Sequence, residues 1–154
     1  MRRVSGGMPI YGTCAGAILL SKKTTGEKSD ILKLLDIDTA RNAYGRQVES
    51  FSTQISAPEI SQKPIPAVFI RAPKIIRVGK NVEILARFRN EPVLVREKNI
   101  LASTFHPELT DDLAVHRYFI RMSSGVVPAH RFVIARSPQA TEAISLKHTT
   151  RCIP

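Results

Sequence analysis

Apolar positions recur at two periods along this chain, and the changes of period map its elements. Residues 8–11 form a short apolar run read as a buried strand, and residues 15–22 follow as a short helix. Residues 24–30 are polar with a glycine, which reads as loop, and residues 31–39 are apolar and begin an extended segment. Phe51, Thr53 and Ile55 alternate with more polar neighbours, the period-two signature of a strand. A proline-marked loop over 58–66 leads into a short strand at 67–70, stopped by Pro73. Val82, Ile84, Ala86 and Phe88 then alternate with Glu83, Leu85 and Arg87, predicting a strand with one wetter face. Residues 89–92 turn the chain into a strand at 93–96, and residues 97–99 turn it again into 100–105. Three strands on short turns predict an antiparallel meander beside a parallel sheet. Thr110, Asp111 and Asp112 suit a helix N-terminus. Val115, Tyr118, Phe119 and Met122 fall at i, i+3, i+4 and i+7, one core-facing stripe. His116 lies off that stripe, which predicts a surface position.

Chemistry concentrates in two places. Gly12-Thr13-Cys14-Ala15-Gly16 sits between the first strand and the first helix. A Gly-x-Cys-x-Gly there reads as a sharp elbow that presents the thiol as a nucleophile. The backbone N–H beside the sulfur and the helix N-terminus behind it both favour negative charge, which predicts a lowered thiol pKa. The flanking glycines carry a steric expectation: a Cβ on either would collide with the elements that the elbow joins. His106-Pro107-Glu108 supplies what a Cys nucleophile needs, a base for the thiol proton and a carboxylate to hold the imidazole. Spacing i, i+2 places both side chains on one side of an extended segment. The segment follows a strand, at the end where open α/β sheets carry their sites. No Cys-x-x-Cys or His-x-x-x-His accompanies these residues, so a zinc reading is poor and no metal or cofactor is expected.

The elbow and the distant His-Pro-Glu together resemble a class I, triad-type glutamine amidotransferase. Three further segments narrow the resemblance. Arg41-Asn42-Ala43-Tyr44-Gly45-Arg46-Gln47 with Glu49-Ser50-Phe51, Val68-Phe69-Ile70-Arg71-Ala72-Pro73, and Phe105-His106-Pro107-Glu108-Leu109-Thr110 are similar to motifs of the glutaminase subunits of pyridoxal 5′-phosphate synthases. The resemblance covers residues 7–122. It implies a flavodoxin-like α/β fold with three layers, a mixed sheet and the antiparallel meander. It implies roles as well: Cys14 attacks the side-chain amide of L-glutamine, His106 shuttles the proton, Glu108 orients it, and the Ala15 N–H serves the oxyanion. Arg41, Ile70 and Arg71 would bind glutamine. Ammonia would pass to a synthase subunit that builds pyridoxal 5′-phosphate (vitamin B6), in a hetero-oligomer.

The resemblance also sets expectations at both ends. In that family a segment with a Gly-Gly-Glu-Ser motif precedes the elbow and completes the oxyanion hole. In this chain Gly6-Gly7 is followed by Met8-Pro9, and the elbow comes at once. The expectation is an amidotransferase domain over 1–122 without its N-terminal βα units, roughly 60 residues, and a non-family tail over 123–154. Two other readings stay open: a glutaminase-like remnant that docks without turnover, and the glutaminase domain of another amidotransferase.

Composition changes this picture little. A chain of 154 residues, 43% hydrophobic, fits one domain. Its apolar runs are far too short to span a bilayer, so no membrane is expected. Cys14 and Cys152 make no disulfide framework, and a Cys nucleophile suits a reducing, cytoplasmic setting. Met1-Arg2-Arg3 precedes the elbow too closely to be a cleavable leader. The net charge of +10 raises nucleic acid as a partner. The basic residues are scattered, with no run longer than two and no aromatic ladder, so nucleic-acid binding is not expected.

Overall fold

The computed structural model describes residues 7–26, 30–41 and 50–125. In order they form β1 (Ile10–Thr13), α1 (Ala15–Leu20), β2 (Ser21–Thr25), β3 (Leu35–Ala40), β4 (Ser50–Ile55), β5 (Ile65–Ile70), β6 (Lys74–Val78), β7 (Glu83–Phe88), β8 (Glu91–Glu97), β9 (Ile100–Ser103), a 3-10 turn at Pro107–Leu109 and α2 (Ala114–Ser123). The motif residues 42–49, the tail from 126 with Cys152, and residues 1–6 lie outside the described residues.

The central sheet has the order β1-β9-β8-β7. β1 runs parallel to β9, with Tyr11 opposite Leu101 and Thr13 opposite Ser103. β9, β8 and β7 make the antiparallel meander expected from the sequence. Its first turn, Arg89-Asn90, has positive φ at both residues (49° and 66°), the hairpin geometry that matches strand twist. Both faces of this sheet are covered. Leu94, Leu101 and Phe105 pack with Val115, Tyr118 and Met122 of α2 and with Ile55, Ile65 and Phe69 of the β4–β5 pair. Val95, Ile100 and Ala102 pack on the other side with Ala17 and Leu20 of α1 and Leu35 and Ile37 of β3. A strand dry on both faces reads as an unbroken apolar run, as β9 does. The architecture is α/β with a mixed sheet, and its two coverings give three layers.

Several expectations need correction. The first helix stops at Leu20 instead of continuing to residue 22. Ser21 is fully buried, turns to φ −63°, ψ 159°, and its Oγ donates to Ile18 O at 2.7 Å, which closes the helix. The chain then forms β2 beside β3, in place of the loop expected from Thr24. Ser-Lys-Lys-Thr-Thr carries no apolar period, so only pairing reveals that strand. β6 is a further strand that the sequence pattern does not predict. It lies antiparallel to β3, where Arg77 meets Asp36 and Asp38. In β7 the alternation breaks at Leu85, which falls at a register shift between Ile84 and Ala86. The irregularity lets Leu85 and Ala86 both turn inward. His116 is half-buried, with its ring edge-on to Tyr11, instead of at the surface.

Candidate active site

Cys14 caps the first helix with φ 47° and ψ −102°, a conformation that a side chain adopts only at some cost in strain. Its N–H donates to Ser103 O at 2.8 Å, continuing the β1–β9 ladder, while its own carbonyl accepts from Ala17 N at 3.1 Å. The elbow is therefore pinned at both ends. Its glycines are not equivalent. A Cβ on Gly12 would lie 2.7 Å from Gly16 C and 2.7 Å from Leu20 Cδ1, so Gly12 must be glycine. A Cβ on Gly16 would meet nothing within 4 Å, which corrects the expectation that both flanks exclude one. The close approach of the Gly16 backbone is what excludes a Cβ at Gly12.

His106 follows β9 as Cys14 follows β1. The two sit beyond the C-terminal ends of adjacent parallel strands, the edge where α/β sheets gather their sites. A third strand binds both. Val68 O of β5 accepts the His106 N–H at 2.8 Å, and Ile70 O accepts the Cys14 Sγ–H at 3.8 Å. These main-chain acceptors carry no sequence signal. His106 Nδ1 and Glu108 Oε1 are 2.7 Å apart, the contact of a base with its orienting carboxylate. The segment between them is a 3-10 turn, not the extended stretch expected, and the turn still brings the two side chains together.

Electrostatics split the pair from the thiol. At Glu108 burial works against ionisation. The His106 hydrogen bond, the residue's own backbone N–H and the fields of His106 and His116 outweigh it, leaving the carboxyl below its ordinary value. Cys14 goes the other way. Burial raises its pKa, Ala15 N–H lowers it, and the Glu108 charge raises it again, with a net increase. The lowered thiol pKa expected from the sequence is thus overturned. A six-residue helix with one N–H on the sulfur does not offset burial plus a nearby carboxylate.

The other candidate residues divide. Ile70, 38% exposed, and Arg71, with φ 45°, lie at the strand end that meets Cys14. Arg41 lies beyond the end of β3 in a different sheet, with its N–H on Thr25 O at 3.1 Å. Among the described residues no group of three or more His, Cys, Asp or Glu is arranged to hold a metal ion. No described helix is long and apolar enough to cross a membrane.

Residues 2–125 match the SNO glutamine amidotransferase family. The chain belongs to that family. Among curated relatives, the pyridoxal 5′-phosphate synthase subunit PdxT of Thermotoga petrophila is 57% identical over 122 residues, covering 79% of this chain and 65% of the relative. The PdxT protein of Dictyoglomus turgidum is 52% identical over 123 residues, with the same two coverages. The chain thus spans about 65% of the length of these relatives. A solved glutamine amidotransferase structure superposes with a TM-score of 0.75 at 46% identity, over 80% of this chain and 65% of that one. The crystal structure of a GMP synthase component from Thermoplasma acidophilum shares the fold at TM-score 0.57 and 18% identity, over 80% and 62% of the two chains.

Proposed function

We propose that this amidotransferase chain is the glutaminase part of a pyridoxal 5′-phosphate synthase, hydrolysing L-glutamine to L-glutamate and ammonia. The observation that carries the reading is the meeting of a strained Cys elbow and a His–Glu pair at the ends of two paired parallel strands. PdxT relatives at 50–57% identity support the vitamin B6 assignment over other ammonia acceptors.

His106 takes the Cys14 proton, and the sulfur attacks the amide carbon of glutamine. The oxygen that becomes negative needs donors, and Ala15 N–H, already directed at the sulfur, is placed to supply one. His106 returns the proton to the departing ammonia, leaving a thioester. Water, deprotonated by the same imidazole, then releases glutamate. Glu108 stays ionised and holds Nδ1, so that the other ring nitrogen faces the chemistry. Burial and the Glu108 charge raise the Cys14 thiol pKa, so the sulfur needs His106 to take its proton as it attacks. Ile70 and Arg71 border the nucleophile as candidate glutamine contacts, and Arg41 is a third candidate. Ammonia goes to a synthase subunit in a hetero-oligomer, in the cytoplasm.

The test is glutamate release by the 154-residue chain, alone and with the synthase subunit of a pyridoxal 5′-phosphate synthase. Release that rises when this partner is present and disappears in Cys14→Ala is expected. A chain that binds the partner yet releases no glutamate would overturn the enzymatic reading in favour of a docking remnant.

A further inference from the structure

Tyr11 and Ser103 lie on the same face of the β1–β9 pair, three residues before Cys14 and His106 respectively. Their hydroxyl oxygens are 3.0 Å apart. Ser103 is wholly buried, and its Oγ donates to Phe105 O at 2.9 Å. A serine hydroxyl has one proton. That proton is committed to Phe105, so the phenol must be the donor between Tyr11 and Ser103. Burial holds Tyr11 strongly protonated, which keeps it a donor. Ser103 is engaged a third time, because its carbonyl receives the Cys14 N–H at 2.8 Å. One residue therefore holds the nucleophile through its main chain, and through its side chain fixes the carbonyl just before His106. Tyr11 in turn is set by α2, with its ring 5.6 Å from Phe119 and 6.4 Å from His116.

The geometry points to Tyr11 and Ser103 as a coupled pair of positioning residues that sets the distance between Cys14 and His106 during glutamine hydrolysis. A phenylalanine at position 11 would fill the same core space. What the hydroxyl adds is a bond to the residue that ties both halves of the site. Through Ser103 O on the Cys14 N–H and Ser103 Oγ on Phe105 O, one residue ties the elbow to the segment that leads into His106. Small displacements of reacting groups are costly in rate, up to about 10²-fold per Å.

The inference rests on Cys14 and His106 being nucleophile and base, so its test reads both turnover and the thiol itself. Tyr11→Phe, Ser103→Ala and the double variant are compared with the unaltered chain, each in the presence of the synthase partner. The two readouts are glutamate release and iodoacetamide alkylation at Cys14, mapped by peptide mass. Ser103→Ala is expected to lower kcat and alkylation by about tenfold with little change in KM, and Tyr11→Phe by about threefold. The double variant should be no worse than Ser103→Ala, since the two act through one bond. Ser103→Cys, which keeps a weak donor, should recover part of the loss. Unaltered kcat and alkylation with only a lowered melting temperature would mean the pair merely supports the core, and would overturn the proposal. Losses that simply multiply in the double variant would overturn the coupling. If the unaltered chain releases no glutamate, proposed hydrolysis fails, and the alkylation ratios still decide the pair.

Discussion

The central sheet and the β2-β3-β6 sheet hold their shapes by different means. Around Cys14 and His106 the ties are buried main-chain bonds: Cys14 N to Ser103 O, His106 N to Val68 O, and a glycine at position 12 that no other residue replaces. The β2-β3-β6 sheet is laced on its outer face by exposed charges. Arg77 bridges Asp36 and Asp38 at 2.7 and 2.8 Å, and Lys22 reaches Asp36 at 3.2 Å. Buried ties hold a position firmly, because a lost partner leaves a desolvated group. Exposed ion pairs fix far less and weaken with salt. The catalytic triad candidates hang on the first kind of support. Arg41, a candidate for substrate, follows β3, whose inner face is buried in the core and whose outer face carries the ion pairs.

The sharpest break in that contrast is chemical. Cys14→Ala and His106→Asn should each remove glutamine hydrolysis, by at least roughly 10³-fold. Glu108→Gln should cost about 10²–10⁴-fold, because the ring loses its orienting charge. Arg41→Ala should act mainly on KM. Initial-rate measurements over a glutamine series separate these, and a Glu108→Gln enzyme at normal rate would dissolve the triad.

Next in size is the elbow. Gly12→Ala should destabilise the fold by about 1–3 kcal/mol, as overpacking does, whereas Gly16→Ala should lose nothing. Urea unfolding of the two variants decides it. Equal losses would mean the elbow is not packed as described.

The sequence carried the central sheet well and the other sheet poorly, and the reasons are physical. Buried strands such as β9 announce themselves because both faces are dry. The elbow and His-Pro-Glu are local patterns that chemistry demands. β2 has no apolar period, and β6 carries two adjacent isoleucines, Ile75 turned inward and Ile76 exposed, so its alternation is not legible. Both exist because β3 pairs with them. The direction of the Cys14 pKa shift was equally out of reach, since it depends on burial and on Glu108, which lies 94 positions away in the chain. Tyr11 and Ser103 looked like ordinary strand residues.

A smaller effect is pH. Glu108 has a native pKa below its ordinary value, so its contribution to stability is present above that ordinary value. The contribution is lost as pH falls through the lowered native one. Acid inactivation through this group should therefore begin below the usual carboxylate range, about 4.3. The Cys14 thiol should ionise above the ordinary value for a free cysteine, about 8.5, so alkylation of the free chain should climb on the alkaline side. A midpoint below neutrality would contradict the balance of burial and Glu108 charge at the sulfur. Smallest of all, Arg77→Ala should loosen the β2-β3-β6 sheet at low salt. The difference should vanish near 1 M salt, where screening acts within about 3 Å. Melting curves at the two salt levels show it.

The most direct test of the central claim is covalent labelling by a glutamine-shaped diazo-ketone, read by intact and peptide mass. The account predicts one adduct on Cys14, absent in Cys14→Ala and strongly slowed in His106→Asn. An adduct carried mainly by Cys152, or one formed as fast without His106, would contradict it.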